Sequence, residues 1–383
     1  MFLDRRTFMG VVGASAGLGF VPITRGTQGA TPSSAHPQDP ADDDPFHFSP
    51  SDRYNQLMND HPPALAYSGG DVREWQAQLT KKLRELVKFP PTQNRVPLDV
   101  RSIWSREHEL GRIEKIVFTA EPSADVPAYV CLPKNAAPPY TWFICIQGHT
   151  TGMHNSIGVD VQDETKTIDV GYDRDFGLIC MRRGVAALCI EQRGFGTRRW
   201  SLNEGYGADL CRYTAMHSLM LGRTLIGERV FDVDRAIDYL LTREDVVPER
   251  IGVMGNSGGG TTTLFSAALL DRLKYAMPSC YFCTFRDSIM AMGHCQCNFV
   301  PGLLQEAEMA DVLGLFAPRA VVVVAGKNDR IFPIQGVRKA FEQLKRIYAA
   351  AGVEDRCKLV VGEGGHRFYA DLAWPKMLEQ LKS

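Results

Sequence analysis

The sequence predicts a doubly wound α/β domain built on a mostly parallel sheet, and three observations lead there. Short apolar runs recur along the chain, most of the later ones are apolar on both faces, and amphipathic helical patterns lie between them. A strand that must be apolar on both sides belongs inside a parallel sheet covered by helices on each face. Regular alternation of such strands with helices is the signature of an α/β sheet rather than of a sandwich or barrel.

The strand-like runs, in order, are RIEKIVFTAE from Arg112, VPAYVCLP from Val126, TWFICIQG from Thr141, VAALCIEQ from Val185, RIGVMGNS from Arg250, YAMPSCYF from Tyr275, RAVVVVAG from Arg319 and CKLVVGEG from Cys357. Helical spacing occurs in VDRAIDYLLTRE from Val233, TTTLFSAALLDRL from Thr261 and GVRKAFEQLKRIYAAAG from Gly336. Before the first strand, Trp75, Leu79, Leu83 and Leu86 fall on one face of a helix over Arg73 to Val87. Two connections, Thr150 to Arg183 and Phe195 to Val230, are too long for turns. In a sheet of this kind the ligand sits beyond the carboxyl ends of the strands, so both are candidate substrate loops.

The chain starts MFLDRRT, followed by the weakly apolar run FMGVVGASAGLGFVPI. That run is shorter than the roughly 20 residues of a membrane-spanning helix. Arg5 and Arg6 ahead of it match a twin-arginine export signal, so residues 1–30 are read as a signal peptide. Residues 31–52, rich in Pro, Asp and Ser, are read as a disordered tether, 53–100 as an N-terminal helical extension and 101–383 as the main domain. The expected location is periplasmic or secreted, with the membrane met only during export.

Net charge is −1 with both signs interleaved, which leaves no nucleic-acid footprint and points to a small or neutral molecule as partner. Ten cysteines in 383 residues are too few for a disulfide scaffold, and Cys145 and Cys189 lie within apolar strands as core thiols. Cys280, Cys283, His294, Cys295 and Cys297 form a separate group. Zinc, disulfides and plain thiols are its three readings. Cys-x-Cys is unusual spacing for structural zinc, so thiols are favoured, with no metal and no cofactor.

Gly-x-Ser-x-Gly occurs at Gly13–Gly17 and at Gly255–Gly259, and context separates the two. Ser15 lies in the export signal. Ser257 directly follows the strand RIGVM and precedes the helix TTTLFSAALL, as a nucleophile on a strained strand-to-helix elbow does in the α/β-hydrolase fold. Gly255, Gly258 and Gly259 keep the elbow uncrowded. A serine hydroxyl needs a base, and the chain order in this fold is serine, acid, histidine. Only His294 and His366 follow Ser257, and His294 comes before the seventh strand, which leaves His366 in GEGGHRFY. The acid belongs at the end of the preceding strand, where RAVVVVAGKND places Asp329; Asp287 is the runner-up.

The negative charge that forms on an attacked ester carbonyl needs backbone donors. The Gly258 amide at a helix N-terminus is one. The loop IQGHTTG supplies the other, with Gln147 and Gly148 in place of a His-Gly turn and the His149 amide as the donor. Trp200, Tyr206 and Tyr213, with Arg198 and Arg199, form a mixture suited to stacking on sugar rings and bonding their hydroxyls.

The stretches SCYFCTFRDSIMAMGHCQCNFVPGLL from Ser279 and GEGGHRFYADLAWPKM from Gly362 resemble those of the bacterial acetyl xylan esterase-like α/β-hydrolases, which are related to dienelactone hydrolases and deacetylases. The resemblance runs from about Asp52 to the C-terminus. It implies a serine esterase with the triad Ser257, Asp329 and His366, acting on a carbohydrate ester. The sequence departs from the deacetylases at Gln147 and at RGFG, where they carry Arg-Gly-Gln, and Arg193 reads as a structural ion-pair partner. Rival readings are a peptidase of the prolyl oligopeptidase kind and a non-catalytic carbohydrate-binding protein on the same fold. The latter is disfavoured by the retention of serine, acid, histidine and glycines together.

Overall fold

A computed structural model describes residues 48–91, 95–150, 152–199 and 209–382. Residues 1–30, read above as an export signal, lie outside the described residues, as do Trp200 and Tyr206. The chain divides into two units at Tyr54 and Asn55; of the first, only residues 48–54 are described. No helix among the described residues is long and apolar enough to cross a membrane.

Helix α1 covers Pro50–Asp60, so the last three residues of the stretch expected to be a tether are helical. Helix α2, Val72–Leu86, follows the predicted spacing and buries Trp75, Leu79 and Leu83. Asp71 caps it, accepting the amides of Arg73 at 2.8 Å and Glu74 at 3.0 Å that have no intrahelical acceptor.

Nine strands form one sheet. They are β1 (Arg101–His108), β2 (Gly111–Glu121), β3 (Ala124–Pro133), β4 (Tyr140–Ile146), β5 (Ala186–Ile190), β6 (Val246–Asn256), β7 (Tyr275–Ser279), β8 (Ala320–Gly326) and β9 (Cys357–Gly362). Their order is β1-β2-β3-β5-β4-β6-β7-β8-β9. Neighbours from β5 to β9 are parallel, and β1, β2 and β3 add an antiparallel edge that joins β5. The eight predicted runs correspond to β2 through β9. The extra edge strand, β1, escapes the apolar criterion because its residues are almost all exposed or half-exposed, as suits an edge.

Both faces of the parallel strands are buried, and their side chains alternate between two cores. Trp142, Ile144 and Ile146 of β4 point into one core, Phe143 and Cys145 into the other. The first core is closed by α2, by α5 (Leu225–Leu241, after α4, Asp209–Met220), by α6 (Gly258–Leu269) and by α9 (Ile334–Ala350). Two short helices, α7 (Leu303–Glu306) and α8 (Met309–Gly314), join the same side. The second core is closed by α3 (Phe176–Arg182) and α10 (Ala370–Gln380), through Phe176, Ile179, Trp374 and Met377.

Chain direction across the sheet reverses at β4: β5 lies on one side of it, β6 on the other. The loops after β4 and β6 therefore diverge and leave a crevice at their carboxyl ends. His149 and Ser257 lie on those loops.

Candidate active site

Ser257 stands at the junction of β6 and α6 with φ 56° and ψ −120°, a region that a side-chain-bearing residue enters only when its surroundings hold it there. Its amide donates to the Ser279 carbonyl at 2.9 Å, and the Ser279 hydroxyl bonds Asn256 Oδ1 at 2.7 Å, so β7 clamps the elbow from both sides. The turn tolerates no side chain at Gly259, where a Cβ would run into the Ile146 carbonyl of β4. As the first residue of α6, Gly258 carries an amide with no intrahelical acceptor.

Asp329, after β8, and His366, after β9, meet through Asp329 Oδ2 and His366 Nδ1 at 2.8 Å. The other carboxylate oxygen accepts the amides of Ile331 at 2.8 Å and Phe332 at 3.2 Å. Burial opposes ionisation of Asp329, but the His366 hydrogen bond and charge and the two amides outweigh it and hold the carboxyl below its usual range. An ionised Asp329 keeps the imidazole proton on Nδ1 and leaves Nε2 as a base. Asp287, the runner-up, is engaged elsewhere, accepting from the Thr284 hydroxyl at 2.6 Å.

Ser257, Gly258, His149 and His294 border one cavity of about 380 Å³, with Tyr281 and Phe332 among its other walls. The His366 ring stacks on Phe332, 5.9 Å between centroids and 18° between planes, which sets the Asp329–His366 pair at the edge of the same cavity. No hydrogen bond joins Ser257 to His366 among the described residues; such bonds commonly tighten only when substrate is bound. The His149 ring covers the amide side of the elbow, so that a Cβ on Gly258 would stand 2.8 Å from its Cε1.

The loop after β4 is held by residues to which sequence reasoning assigned no role. Gln192 donates to the Gln147 carbonyl at 2.5 Å and accepts from Thr262 Oγ1 of α6 at 2.5 Å, bridging the loop to the helix that follows Ser257. Gln147 Nε2 bonds Ser156 Oγ at 2.8 Å and the Arg174 carbonyl at 2.7 Å. Glu191, fully buried, receives the Met153 amide on both oxygens at 3.2 Å, and burial pushes its carboxyl up to about 7. The detectable signal was a Glu-Gln pair ending an otherwise apolar strand, since polar groups at such a place are buried only with partners.

Several expectations are corrected. Among the described residues, the cavity wall comes chiefly from the segment after β7, through Tyr281, Met292, His294, Gln296 and Asn298, and none of it from the two long excursions. The first excursion folds instead over the antiparallel strands. There Glu164 bonds Lys115 at 2.5 Å, Tyr129 at 2.8 Å and Trp104 at 2.9 Å. Tyr213 is 46% exposed on α4 and does not border the cavity. The five-residue cysteine and histidine group is split: Cys280 faces the Arg367 carbonyl, Cys283 the Pro333 carbonyl and His294 the Ser288 hydroxyl, while Cys295 and Cys297 turn toward His149. None of the ten cysteines lies in a disulfide, and Cys145 and Cys189 are buried in the core. Arg193 does pair structurally, with Asp232 at 2.8 Å and Glu121 at 2.6 Å.

Similarity to known proteins covers most of the chain. It is 27% identical over 297 residues to the candidate hydrolase YtaP of Bacillus subtilis (strain 168), spanning 76% of this chain and 94% of that protein. A solved candidate acetyl xylan esterase of Bacteroides fragilis NCTC 9343 superposes with a TM-score of 0.71 at 17% identity, covering 89% of this chain and 97% of the other. A glucuronoyl esterase of Solibacter usitatus gives 0.61 at 15%, covering 84% and 97%. At such identities the two structures share the fold. Residues 42–350 match the model of the Abhydrolase family, and with its parallel sheet and strained serine elbow the chain belongs to that family.

Proposed function

We propose that the protein is an exported serine carboxylic ester hydrolase that removes small acyl groups, acetyl foremost, from a carbohydrate. The observation that carries this reading is a serine held at φ 56° beside a cavity walled by Phe332, against which stacks the His366 ring that bonds the buried Asp329. In the reaction, Ser257 Oγ attacks the ester carbonyl while His366 Nε2 takes its proton. The amides of Gly258 and His149 receive the developing oxyanion. His366 then returns the proton to the departing alcohol, leaving an acyl group on Ser257. Water, activated by the same imidazole, releases the acid.

The small-acyl preference is supported by the cavity, which at about 380 Å³ is near the lower end of small-molecule sites. Its walls mix His294, Gln296 and Asn298 with Tyr281 and Phe332, a surface for hydroxyl groups and ring faces more than for an alkyl chain. Solved neighbours named as an acetyl xylan esterase and a glucuronoyl esterase agree with that. Acetyl, butyryl and octanoyl esters of one leaving group should show kcat/KM falling with chain length, acetyl exceeding octanoyl by at least about tenfold, a small fraction of the discrimination a pocket can supply. Faster octanoyl cleavage contradicts the small-acyl reading, and faster cleavage of a glucuronate ester than of any acetyl ester moves the sugar to the acyl side.

Export is inferred from Arg5 and Arg6 ahead of the short apolar run. Replacing both by lysine should leave the protein in the cytoplasm; unchanged export of that variant removes the twin-arginine reading.

A further inference from the structure

We propose that His149, Cys211, Cys295 and Cys297 bind one zinc ion that ties three loops together beside the nucleophile. The four residues come from three separate places, the loop after β4, helix α4 and the segment after β7. Their ligand atoms all lie within 4.8 Å of one another. Cys297 Sγ is 3.3 Å from Cys295 Sγ and 3.6 Å from His149 Nε2. Three thiolates and an imidazole at zinc-ligand distances stand about 3.5–3.8 Å apart at the corners of a tetrahedron. Small rotations of these side chains therefore close the shell without moving backbone. Cys₃His is a closed, structural set with no position left for water, and soft thiolates select zinc over hard cations such as magnesium or calcium.

An independent observation concerns charge. Arg229 of α5 is 1% exposed, yet no carboxylate pairs with it among the described residues. Its Nε and Nη2 donate to the Arg193 carbonyl, Nη2 also lies 3.2 Å from Cys211 Sγ, and Nη1 has no partner. A buried cation without a counter-ion is costly. Zinc with three thiolates and a neutral imidazole carries one net negative charge, which a single guanidinium balances. Phe195, Ala215 and Leu225 pack against the buried Cys211 and Cys297, while His149 and Cys295 border the cavity, and the Phe195 ring meets His149 edge-on at 5.0 Å.

Binding would release the thiol protons to solvent and fix His149 through Nε2. The backbone of His149 would then be anchored by its own side chain, and with it the amide assigned above to the oxyanion. That consequence rests on the proposed function; the metal site does not. The sequence grouping missed it because Cys295 and Cys297 were placed with their chain neighbours, whereas Cys211 and His149 lie 84 and 146 residues before Cys295.

The test is metal analysis of the full protein purified without metal-affinity resin. The expected result is about one zinc per chain, retained on dialysis and lost in Cys295→Ser and Cys297→Ser, while Cys283→Ser and Ser257→Ala keep it. Should a cysteine variant fail to fold, cobalt(II) exchanged into the wild-type protein provides a second readout, with intense thiolate charge-transfer and tetrahedral ligand-field absorption. Protein with no zinc that takes up neither zinc nor cobalt(II) overturns the proposal. So does an intact mass two hydrogens light with a disulfide mapped to Cys211, Cys295 or Cys297, or zinc retained in both serine variants.

Discussion

Replacing Ser257 by alanine is expected to lower kcat/KM for acetyl esters by about 10⁶-fold, the scale seen when the nucleophile of a hydrolytic triad is removed. The substitution deletes only Oγ. Alanine keeps the Cβ that packs near Gly148 and leaves intact the Ser257 amide bond to the Ser279 carbonyl, so φ stays positive and the elbow stays clamped. Thermal stability should therefore change little, and a loss of activity with unchanged Tm separates chemistry from folding. Activity of Ser257→Ala within tenfold of wild type would contradict a covalent route through this residue, since about 1.4 kcal/mol is all that such a change represents.

Asp329→Asn is expected to lower kcat by about 10⁴-fold. The carboxylate now fixes the proton on His366 Nδ1 through the 2.8 Å contact. An amide in its place can donate as well as accept, which lets the ring hold the wrong tautomer and removes the charge that steadies the imidazolium. The oxygen facing the amides of Ile331 and Phe332 is retained in asparagine, so the turn after β8 keeps its anchors. Asp287→Asn should cost far less, because Asp287 bonds Thr284 in its own turn. Its carboxylate makes no hydrogen bond to His366 among the described residues. A larger effect at Asp287 than at Asp329 would move the acid to the turn after β7.

What was legible in the sequence depends on how local the signal was. Strands buried on both faces announce themselves as unbroken apolar runs, and β4, β6 and β8 were found that way. Helix α5 starts at Leu225, eight residues before the predicted pattern, because its first turns are buried all round and carry Glu228, Arg229 and Asp232 inside, so polarity there does not mark a solvent face. Ser257, Asp329 and His366 could be proposed because each follows a strand end, where chain order leaves few choices, and the structure places Asp329 and His366 in contact. The strand β1 was invisible because an exposed edge carries charged residues. The cysteines are grouped differently in space than along the chain for another reason. Chain proximity suggested Cys280 with Cys283 and Cys295 with Cys297, but the sheet order brings Cys211 and His149 to the latter pair and sends Cys280 toward Arg367. Partners chosen by sheet topology cannot be read from spacing along the chain.

The central claim, that turnover passes through an acyl group on Ser257, is tested most directly by covalent trapping. The active protein is titrated with a fluorophosphonate, residual esterase activity is followed, and the modified peptide is located by mass spectrometry. The expected result is complete inactivation at one phosphonyl group per chain, carried on Ser257, with no labelling of Ser257→Ala. Inactivation with the group on another residue, or undiminished activity once Ser257 is fully modified, would contradict it.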